Sequence, residues 1–139
     1  MKSVQTFGII PVKGSVKPLS VLLLKHVRGS CWGFPKGHGM KSEGPEHVAK
    51  RELKEETNLS IKAFLPLSPV TISFTFSKHL TSIKKFVTLF YATIKGKLEI
   101  QKSEIIEGQW VSADKLLCYA YFETDHLLFK RVKSDLSKL

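Results

Sequence analysis

The stretch that decides the fold spans residues 37–59 and has the sequence GHGMKSEGPEHVAKRELKEETNL. It joins the end of a glycine-rich loop, residues 28–44, to a segment rich in charged helix formers. Pro45 suits the first position of a helix, because the N–H that proline lacks would have no partner there. Asn58 tolerates the left-handed backbone in which many helices end. We therefore predict a helix from Pro45 to about Thr57.

The predicted helix carries three carboxylates, Glu52, Glu55 and Glu56, at positions i, i+3 and i+4. At 100° per residue they fall within one arc about 100° wide, where like charges repel each other. A hard cation such as Mg²⁺ relieves that repulsion and takes oxygen ligands. The alternative is a solvated surface helix in which neighbouring basic residues balance the acids. The preceding loop favours the metal site, because its glycines allow close backbone approach and Lys36 and His38 are phosphate-directed donors.

The charge of the chain is unevenly distributed. The net charge is +10, from 22 Lys and Arg against 12 Asp and Glu. Residues 43–56 hold five of the acids, so that the rest of the chain has 19 basic and seven acidic residues. A basic surface attracts polyanions such as nucleotides and nucleic acids, although a lysine-rich surface also serves solubility. The charge alone leaves both explanations open.

Loop and helix together resemble the Nudix box of the MutT-like hydrolases. That box has the pattern Gly, five residues, Glu, seven residues, then Arg-Glu-apolar-any-Glu-Glu-any-Gly-apolar, and residues 37–59 match eight of its nine specified positions. The exception is Asn58, where the family has Gly, and Asn is the next most tolerant residue in the left-handed region. A motif of 23 residues is far more specific than a lone glycine loop.

The resemblance implies an α+β fold, an α/β/α sandwich with a mixed β-sheet. It also implies hydrolysis of a nucleoside diphosphate linked to another group, with Mg²⁺ or Mn²⁺ as the cofactor. Carried over by position, the metal ligands are the carboxylates of Glu52, Glu55 and Glu56 and the carbonyl of Gly37. Arg51 is expected to orient this catalytic cluster by pairing with Glu43 and a neighbouring glutamate. The resemblance leaves two choices for the base that takes a proton from the attacking water, Glu52 and Glu55.

A narrower resemblance is to the asymmetrical diadenosine tetraphosphate hydrolases. It rests on Trp32 and on the sequence Pro-Lys-Gly-His at residues 35–38. In that group a lysine before a strand binds phosphate, and a downstream glutamate binds metal or acts in catalysis. Lys85 and Glu104 match these two positions. The simpler explanations are a strand-end lysine and an exposed loop acid.

The aromatic residues depart from this group. Where it usually has a base-stacking tyrosine, 17 residues after the box, this chain has Phe76. Phe76 keeps the π-face and loses the hydroxyl, so it is a candidate for stacking on a base. The alternative is a core aromatic, since Phe76 shares a strand face with Phe74. No aromatic residue follows Phe129 to complete a clamp around a base.

The rest of the chain predicts strands and helices without a regular alternation. Apolar runs, alternating polarity and β-branched or aromatic content predict strands at residues 6–12, 20–25, 70–76, 86–94 and 108–111. Pro11 favours a sheet edge or a bulge. Ser112 is predicted to cap a short helix over residues 113–118, and Thr124 a last helix over residues 125–137.

Length and composition fit one domain over residues 1–139. Of these 139 residues 42% are hydrophobic, which is enough for a core and too many for a disordered chain. The two cysteines, Cys31 and Cys118, fit no zinc or redox motif, and no apolar run is long enough to span a membrane. The N-terminal residues do not resemble a signal peptide, so we expect a cytoplasmic protein.

The sequence leaves three functions open. The first is metal-dependent hydrolysis of dinucleoside polyphosphates, most of all diadenosine tetraphosphate to ATP and AMP. The second is another Nudix specificity, above all pyrophosphate removal from an RNA 5′ end, which the basic remainder of the chain also suits. The third is a non-catalytic module that binds nucleotide or RNA, and the intact carboxylate cluster argues against it. Neither a membrane nor an obligate protein partner is expected.

Overall fold

The computed structural model describes residues 2–139 and contains one eight-stranded sheet. The sheet is mixed, as predicted. In chain order the elements are β1 (Lys2–Lys13), β2 (Ser20–His26), β3 (Trp32–Gly33), β4 (Lys36–His38), α1 (Pro45–Thr57), β5 (Ser60–Phe64), β6 (Val70–Lys78), β7 (Thr81–Lys95), β8 (Ile105–Ser112), a 3-10 helix (Ala113–Tyr119) and α2 (Glu123–Ser137). Strands β3, β2, β1, β7 and β5 lie side by side in that order, while β4 pairs with β1, β6 with β7 and β8 with β2. Strands β1 and β7 are parallel, and the other pairs are antiparallel.

Both faces of the sheet are covered by helices, which explains why the centre of β2 is buried throughout. Alternate residues of a strand point to opposite faces. Val21 and Leu23 belong to the apolar cluster that includes the inner face of α2, and Leu22 and Leu24 belong to the cluster that includes Leu53 of α1. The two helices therefore lie on opposite sides of the sheet, which confirms the α/β/α sandwich.

Helix α1 begins at Pro45 and ends at Thr57, as its sequence predicts. Asn58 has a left-handed backbone with φ of 66°, and its N–H donates a hydrogen bond to the Lys54 carbonyl. Asn58 thus adopts the left-handed conformation that glycine more often adopts at the end of a helix. The most diagnostic segment of the chain has the local structure that the motif requires.

Of the two later helices, the first has the predicted residue, Ser112, at its cap position, and the second does not have Thr124 there. Ser112 precedes a 3-10 helix and makes no capping hydrogen bond through its side chain. Helix α2 begins at Glu123, before Thr124, and the backbone N–H groups of Tyr121 and Phe122 donate to the Asp125 carboxylate at 3.1 and 2.9 Å. A carboxylate in the first helical turn therefore holds the chain that enters α2. No helix in residues 2–139 combines the length and the apolar character that crossing a membrane requires.

The prediction that Pro11 marks a sheet edge is also wrong. Strand β1 is central, because it pairs with β7 along one side from Lys2 to Val12. On its other side β1 pairs with β4 at residues 6–8 and with β2 only at residues 12 and 13. Pro11 falls in the interval between those two partners, where its missing N–H interrupts neither pairing.

Short strands account for the remaining differences between the sequence and the structure. The predicted loop over residues 28–44 contains β3 and β4, which have two and three residues. Strand β5 follows α1 directly and was not predicted. Strands β6 and β7 extend towards each other into a long hairpin, from Val70–Leu89 to Lys78–Thr81 in register. The hairpin and β4 carry half of the ten candidate site residues, and α1 carries four more.

Candidate active site

One guanidinium group organises the acidic side of α1. Arg51 Nε and Nη2 donate to the two carboxylate oxygens of Glu43 at 2.9 and 3.0 Å, and Nη2 also donates to the His38 carbonyl at 3.1 Å. Arg51 Nη1 donates to Glu52 Oε1 at 3.0 Å and to Glu55 Oε1 at 3.2 Å. The expected pairing of Arg51 with Glu43 and a neighbouring glutamate is therefore present. It ties the loop before α1 to two carboxylates on the helix.

The Arg51–Glu43 pair is a charge-assisted, two-pronged contact. The hydrogen bond from Arg51, followed by one from the Met40 N–H at 2.7 Å, lowers the pKa of Glu43 to about 2. The hydrogen bond to Glu43 raises the pKa of Arg51 above its ordinary value. Both groups stay ionised at any physiological pH, so the link between loop and helix does not depend on pH.

The acidic cluster consists of the α1 carboxylates Glu52, Glu55 and Glu56. Glu56 is its buried member, with 3% of its surface exposed. Burial and then the neighbouring Glu52 carboxylate raise the pKa of Glu56 to about 8, although Lys36 opposes the shift. Among residues 2–139 the Glu56 Oε1 atom has no hydrogen-bond partner. A buried carboxylate in contact with another carboxylate requires a proton or a cation.

Gly37 in β4 lies directly against Glu52. A Cβ atom on residue 37 would overlap the Glu52 carboxylate. Only glycine leaves that space, so β4 and α1 can bring the residue 37 backbone beside the acidic cluster. The ligand role of the Gly37 carbonyl stays a prediction.

The donor chemistry of this cluster suits a hard divalent cation. Glu52 and Glu56 are adjacent, and Glu56 Oε1 is buried and unsatisfied, so an oxygen-liganded cation would remove the repulsion between them. Within the described residues 2–139, no three His, Cys, Asp or Glu side chains already converge around one point. Glu55 is 48% exposed and bonded to Arg51. The ligand role of Glu55 therefore stays a prediction.

Three basic residues, Lys36, Lys85 and His26, lie close enough together to shift one another's pKa values. Burial lowers the pKa of Lys36, and Lys85 lowers it further. Burial also lowers the pKa of Lys85. Burial, followed by the charges of Lys36 and Lys85, lowers the pKa of His26 to about 4. Two lysines and a neutral histidine therefore share a partly desolvated space, which is an environment that attracts anions.

A cavity of about 690 Å³ opens beside these three residues. Lys36 and Lys85 line it together with aromatic walls from three parts of the chain. The aromatic lining residues are Trp32, Phe34, Phe74, Phe76, Phe122 and Phe129. Lys36 is also close enough to Glu56 to lower the pKa of that carboxyl group. Lys36 therefore lies between the aromatic cavity and the acidic cluster.

Phe76 is not a core residue, because 39% of its surface is exposed. It lines the large cavity and a second one of about 550 Å³ that also contains His38 and Lys85. Phe74 instead packs against the buried cluster beneath α2, with its ring centre 6.2 Å from that of Phe76. The core interpretation of Phe76 is thus wrong, and its ring is available to a ligand.

His38 and Glu104 occupy the rim of the site. His38 is exposed as a whole, but its ring is partly desolvated. This desolvation lowers the pKa of His38, and the charge of Lys85 lowers it further. Glu104 is exposed, and its carbonyl accepts a hydrogen bond from Val27 N–H at 2.8 Å. Gln101, in the same loop, donates its N–H to the Glu56 carbonyl at 3.0 Å. That bond holds the loop near the acidic cluster, where the charge of Glu104 also raises the pKa of Glu56.

Sequence reasoning missed three residues that line the cavity: His26, Phe122 and Asp125. Phe122 lies in the segment before α2 and is 56% exposed. It gives the cavity an exposed aromatic ring, although no aromatic residue follows Phe129 to complete a clamp around a base. The signal for Asp125 was its place in the first turn of the last helix, where carboxylates are favoured. No local pattern distinguishes His26, whose position depends on how the sheet assembles.

The comparisons with known proteins agree with this geometry. The model of the NUDIX domain family matches residues 2–132. A putative hydrolase, 111R, of Invertebrate iridescent virus 3 is 48% identical over 44 residues, which is 31% of this chain and 26% of the viral protein. The chain thus spans about a quarter of the length of this relative.

Solved structures share the fold along almost the whole chain at low sequence identity. A C. elegans Ap4A hydrolase in a binary complex has a TM-score of 0.73 and 18% identity, covering 98% of this chain and 99% of that one. A MutT NUDIX hydrolase from Burkholderia pseudomallei has a TM-score of 0.74 and 17% identity, covering 95% and 99%. The NUDIX domain of Shewanella oneidensis NrtR, complexed with ADP ribose, has a TM-score of 0.72 and 16% identity, covering 98% and 90%. With its box, its fold and the match over residues 2–132, this chain belongs to the NUDIX domain family.

Proposed function

We propose that this chain hydrolyses dinucleoside polyphosphates with the help of a divalent metal ion, and that diadenosine tetraphosphate is cleaved to ATP and AMP. The observation that supports the proposal most is the position of Lys36. Its side chain lines an aromatic cavity and also acts on Glu56 in the acidic cluster. A polyphosphate bound along Lys36 would have a base in the cavity and a phosphorus atom beside the carboxylates.

The acidic cluster is proposed to hold Mg²⁺ or Mn²⁺. Its ligands would be the carboxylates of Glu52, Glu55, Glu56 and Glu104 and the carbonyl of Gly37. When bound, the metal lowers the pKa of a water molecule and neutralises charge on phosphate oxygens. Arg51 fixes Glu52 and Glu55 through hydrogen bonds of 3.0 and 3.2 Å, so their orientation is set before substrate arrives.

Proton transfer from the attacking water is assigned to Glu52 or Glu55. Both carboxylates have one oxygen bonded to Arg51, and Glu52 is also in hydrogen-bond contact with the Glu56 carboxyl group. Glu52 is 14% exposed and Glu55 is 48% exposed. Separate Glu52→Gln and Glu55→Gln variants distinguish them, because loss of the base removes the rise of kcat with pH, whereas loss of a ligand is partly restored by more metal.

Substrate contacts are proposed for four side chains around the two cavities. Lys36, His38 and Lys85 would bind the polyphosphate, since Lys36 lines the larger cavity, His38 the smaller one and Lys85 both. Phe76 would stack on one base, because its ring is exposed at the junction of the two cavities. The C. elegans structural neighbour is an Ap4A hydrolase, which supports the same substrate class.

The alternative substrate is the 5′ end of an RNA, which the basic composition outside residues 43–56 favours. Both substrates should be offered to the purified protein with Mg²⁺ and with Mn²⁺. Release of ATP and AMP from diadenosine tetraphosphate is the expected result. Faster release of pyrophosphate from triphosphorylated RNA would replace the proposal with the alternative. Binding of both substrates without turnover under any metal would identify a non-catalytic module.

A further inference from the structure

A basic groove of about 650 Å³ lies between α1 and the edge strand β5, apart from the candidate active site. It shares no lining residue with the cavities around Lys36 and Lys85. Four lysines line the groove, and no acidic residue does. These residues are Lys50, Lys54, Lys62 and Lys95. The groove is therefore a concave surface of one charge sign.

The four lysines are not neutralised by the protein. All four are exposed, and none takes part in an ion pair within residues 2–139. Lys54 Nζ donates to the Asn58 carbonyl at 3.1 Å, which leaves its charge intact. Uncompensated lysines around a concave surface concentrate anions from solution. A lysine on an edge strand also discourages pairing with another sheet, but that does not explain two lysines on α1.

An exposed aromatic ring lies within this groove. Phe64, at the end of β5, is 39% exposed, and its ring packs edge-to-face against Phe90 with centres 6.2 Å apart. Lys50 Nζ lies 5.5 Å from the centre of the Phe64 ring. The ring is thus held in place by Phe90, lies beneath the Lys50 ammonium group and stays partly exposed to solvent. A fixed aromatic among cations is the combination by which proteins bind bases and phosphates together.

We infer that this groove binds single-stranded nucleic acid, with backbone phosphates on the lysines and a base on Phe64. An acidic peptide would satisfy the lysines and leave the aromatic ring without a role. Lys50 and Lys54 are each two residues from Glu52 or Glu56, about 200° around the helix. The groove and the acidic cluster therefore occupy different sides of α1. The inference does not depend on the proposed hydrolysis.

The test is binding of a 12-nucleotide single-stranded RNA that has a 5′ hydroxyl and a 3′ fluorophore. Fluorescence anisotropy is measured in EDTA, at salt concentrations from 50 to 200 mM, so that turnover does not occur. The groove variant is Lys62→Glu with Lys95→Glu, both outside the candidate active site. The matched control is Lys115→Glu with Lys130→Glu, which changes the net charge equally at exposed positions elsewhere.

The groove variant should weaken binding at least tenfold and lower the slope of log K against log salt by about 1.4, because two phosphate contacts are lost. The control should change the affinity less than threefold. An equal loss in the two variants would overturn the inference, since it would mean general attraction to a basic protein. Metal-dependent hydrolysis of a small nucleotide should be the same in the groove variant and the control variant. A negative result for RNA binding in the groove is therefore distinguishable from a negative result for the proposed hydrolysis.

The role of the ring is tested independently. Phe64→Leu should weaken RNA binding about tenfold or more, as expected for loss of one stacked base, while Phe64→Trp should bind at least as tightly as the original chain. Thermal unfolding of each variant checks that the packing on Phe90 survives. Equal binding by the Leu and Trp variants would overturn the stacking contact. Displacement of RNA by polyglutamate at equal charge concentration would instead indicate a site for acidic peptides.

Discussion

Gly37 and Glu52 are in contact so close that the backbone at position 37 has no room for a side chain. Gly37 lies in β4 and Glu52 lies in the third turn of α1, so the contact fixes the strand against the helix. Arg51 holds the Glu52 carboxylate from the other direction, at 3.0 Å. The carboxylate is therefore confined between a hydrogen bond and a backbone surface.

Replacement of Gly37 should displace that carboxylate. In Gly37→Ala the added methyl group would overlap Glu52, so either the side chain or the strand has to move. We expect kcat to fall about tenfold to 100-fold, because small displacements of reacting groups have effects of that size. The matched control is Gly44→Ala, since no atom lies within 4 Å of a Cβ built on Gly44. Equal activity of the two variants would contradict the steric argument.

The shape of the Arg51 side chain should matter more than its charge. Arg51→Lys keeps the charge but loses the two-pronged contact with Glu43 and the simultaneous contacts with Glu52 and Glu55. We expect kcat/KM to fall about 10-fold to 100-fold, as is typical when a residue that orients ligands is lost. Arg131→Lys is the control, because Arg131 pairs only with Asp135 in α2. A parallel titration with metal shows whether the loss is one of affinity.

Glu56 should be essential for turnover but not for folding. Glu56→Gln retains the shape of the side chain and removes the charge that a divalent cation would require. We expect kcat to fall about 100-fold or more, with a melting temperature in EDTA at least equal to that of the original chain. The unfolding measurement matters because the Gln variant no longer buries an unsatisfied carboxylate. Wild-type activity in Mg²⁺ would remove the basis for the proposed metal site.

The two phenylalanines of β6 should respond differently to truncation. Phe76→Ala is expected to raise the KM for diadenosine tetraphosphate by an amount equivalent to about 1–3 kcal/mol, with little change in stability. Phe74→Ala should instead lower the free energy of unfolding by about 2 kcal/mol or more, because its ring packs on the core. Kinetics and urea unfolding of both variants test this. A loss of stability in Phe76→Ala with unchanged KM would assign that ring a structural role.

Lys85 should affect all polyphosphate substrates alike. Lys85→Ala removes a positive charge near the proposed phosphate site and leaves the aromatic walls intact. We expect kcat/KM to fall for every dinucleoside polyphosphate, whatever its bases, since the charge acts on phosphates alone. A substrate panel with matched chain lengths and different bases is the measurement. Loss confined to one base would place Lys85 in base recognition instead.

His26 should make the protein less stable in mild acid. Its pKa is about 4 in the folded protein, against an ordinary value of 6.5, so the unfolded chain binds the proton more tightly. The contribution is fully present above pH 6.5 and is lost as the pH falls towards 4. His26→Gln cannot take up that proton. We expect its free energy of unfolding to fall less between pH 7 and pH 4.5, by about 1–2 kcal/mol, in urea titrations.

Local features of the sequence were sufficient to predict helix α1, which carries the Nudix box glutamates. Pro45 and Asn58 fix the ends of α1 through backbone preferences that operate within one turn, and the structure has those ends. The alternation of Val70, Ile72 and Phe74 is likewise a local property that survives in β6. These features need no knowledge of distant residues.

The parts that sequence reasoning missed depend on distant partners. Strands β3 and β4 are too short to have a pattern of their own, and they exist because β2 and β1 pair with them. Pro11 is tolerated in a central strand only because β1 changes partners beside it. The shift in the pKa of His26 needs burial and two lysines from elsewhere in the chain. Such properties appear only when the sheet is assembled.

The parallel pairing of β1 with β7 affects the order in which the nascent chain can fold during translation. From Lys2 to Val12, each residue of β1 pairs with a residue 81 positions later, as in Lys2 with Ile83. At a translation rate of about 5–20 residues per second, a ribosome would finish β7 roughly 4–16 s after β1. Until then the apolar residues Ile9 and Ile10 lack their main strand partner. Strand β1 therefore emerges well before its longest pairing partner, and its apolar residues depend on late pairing for their burial.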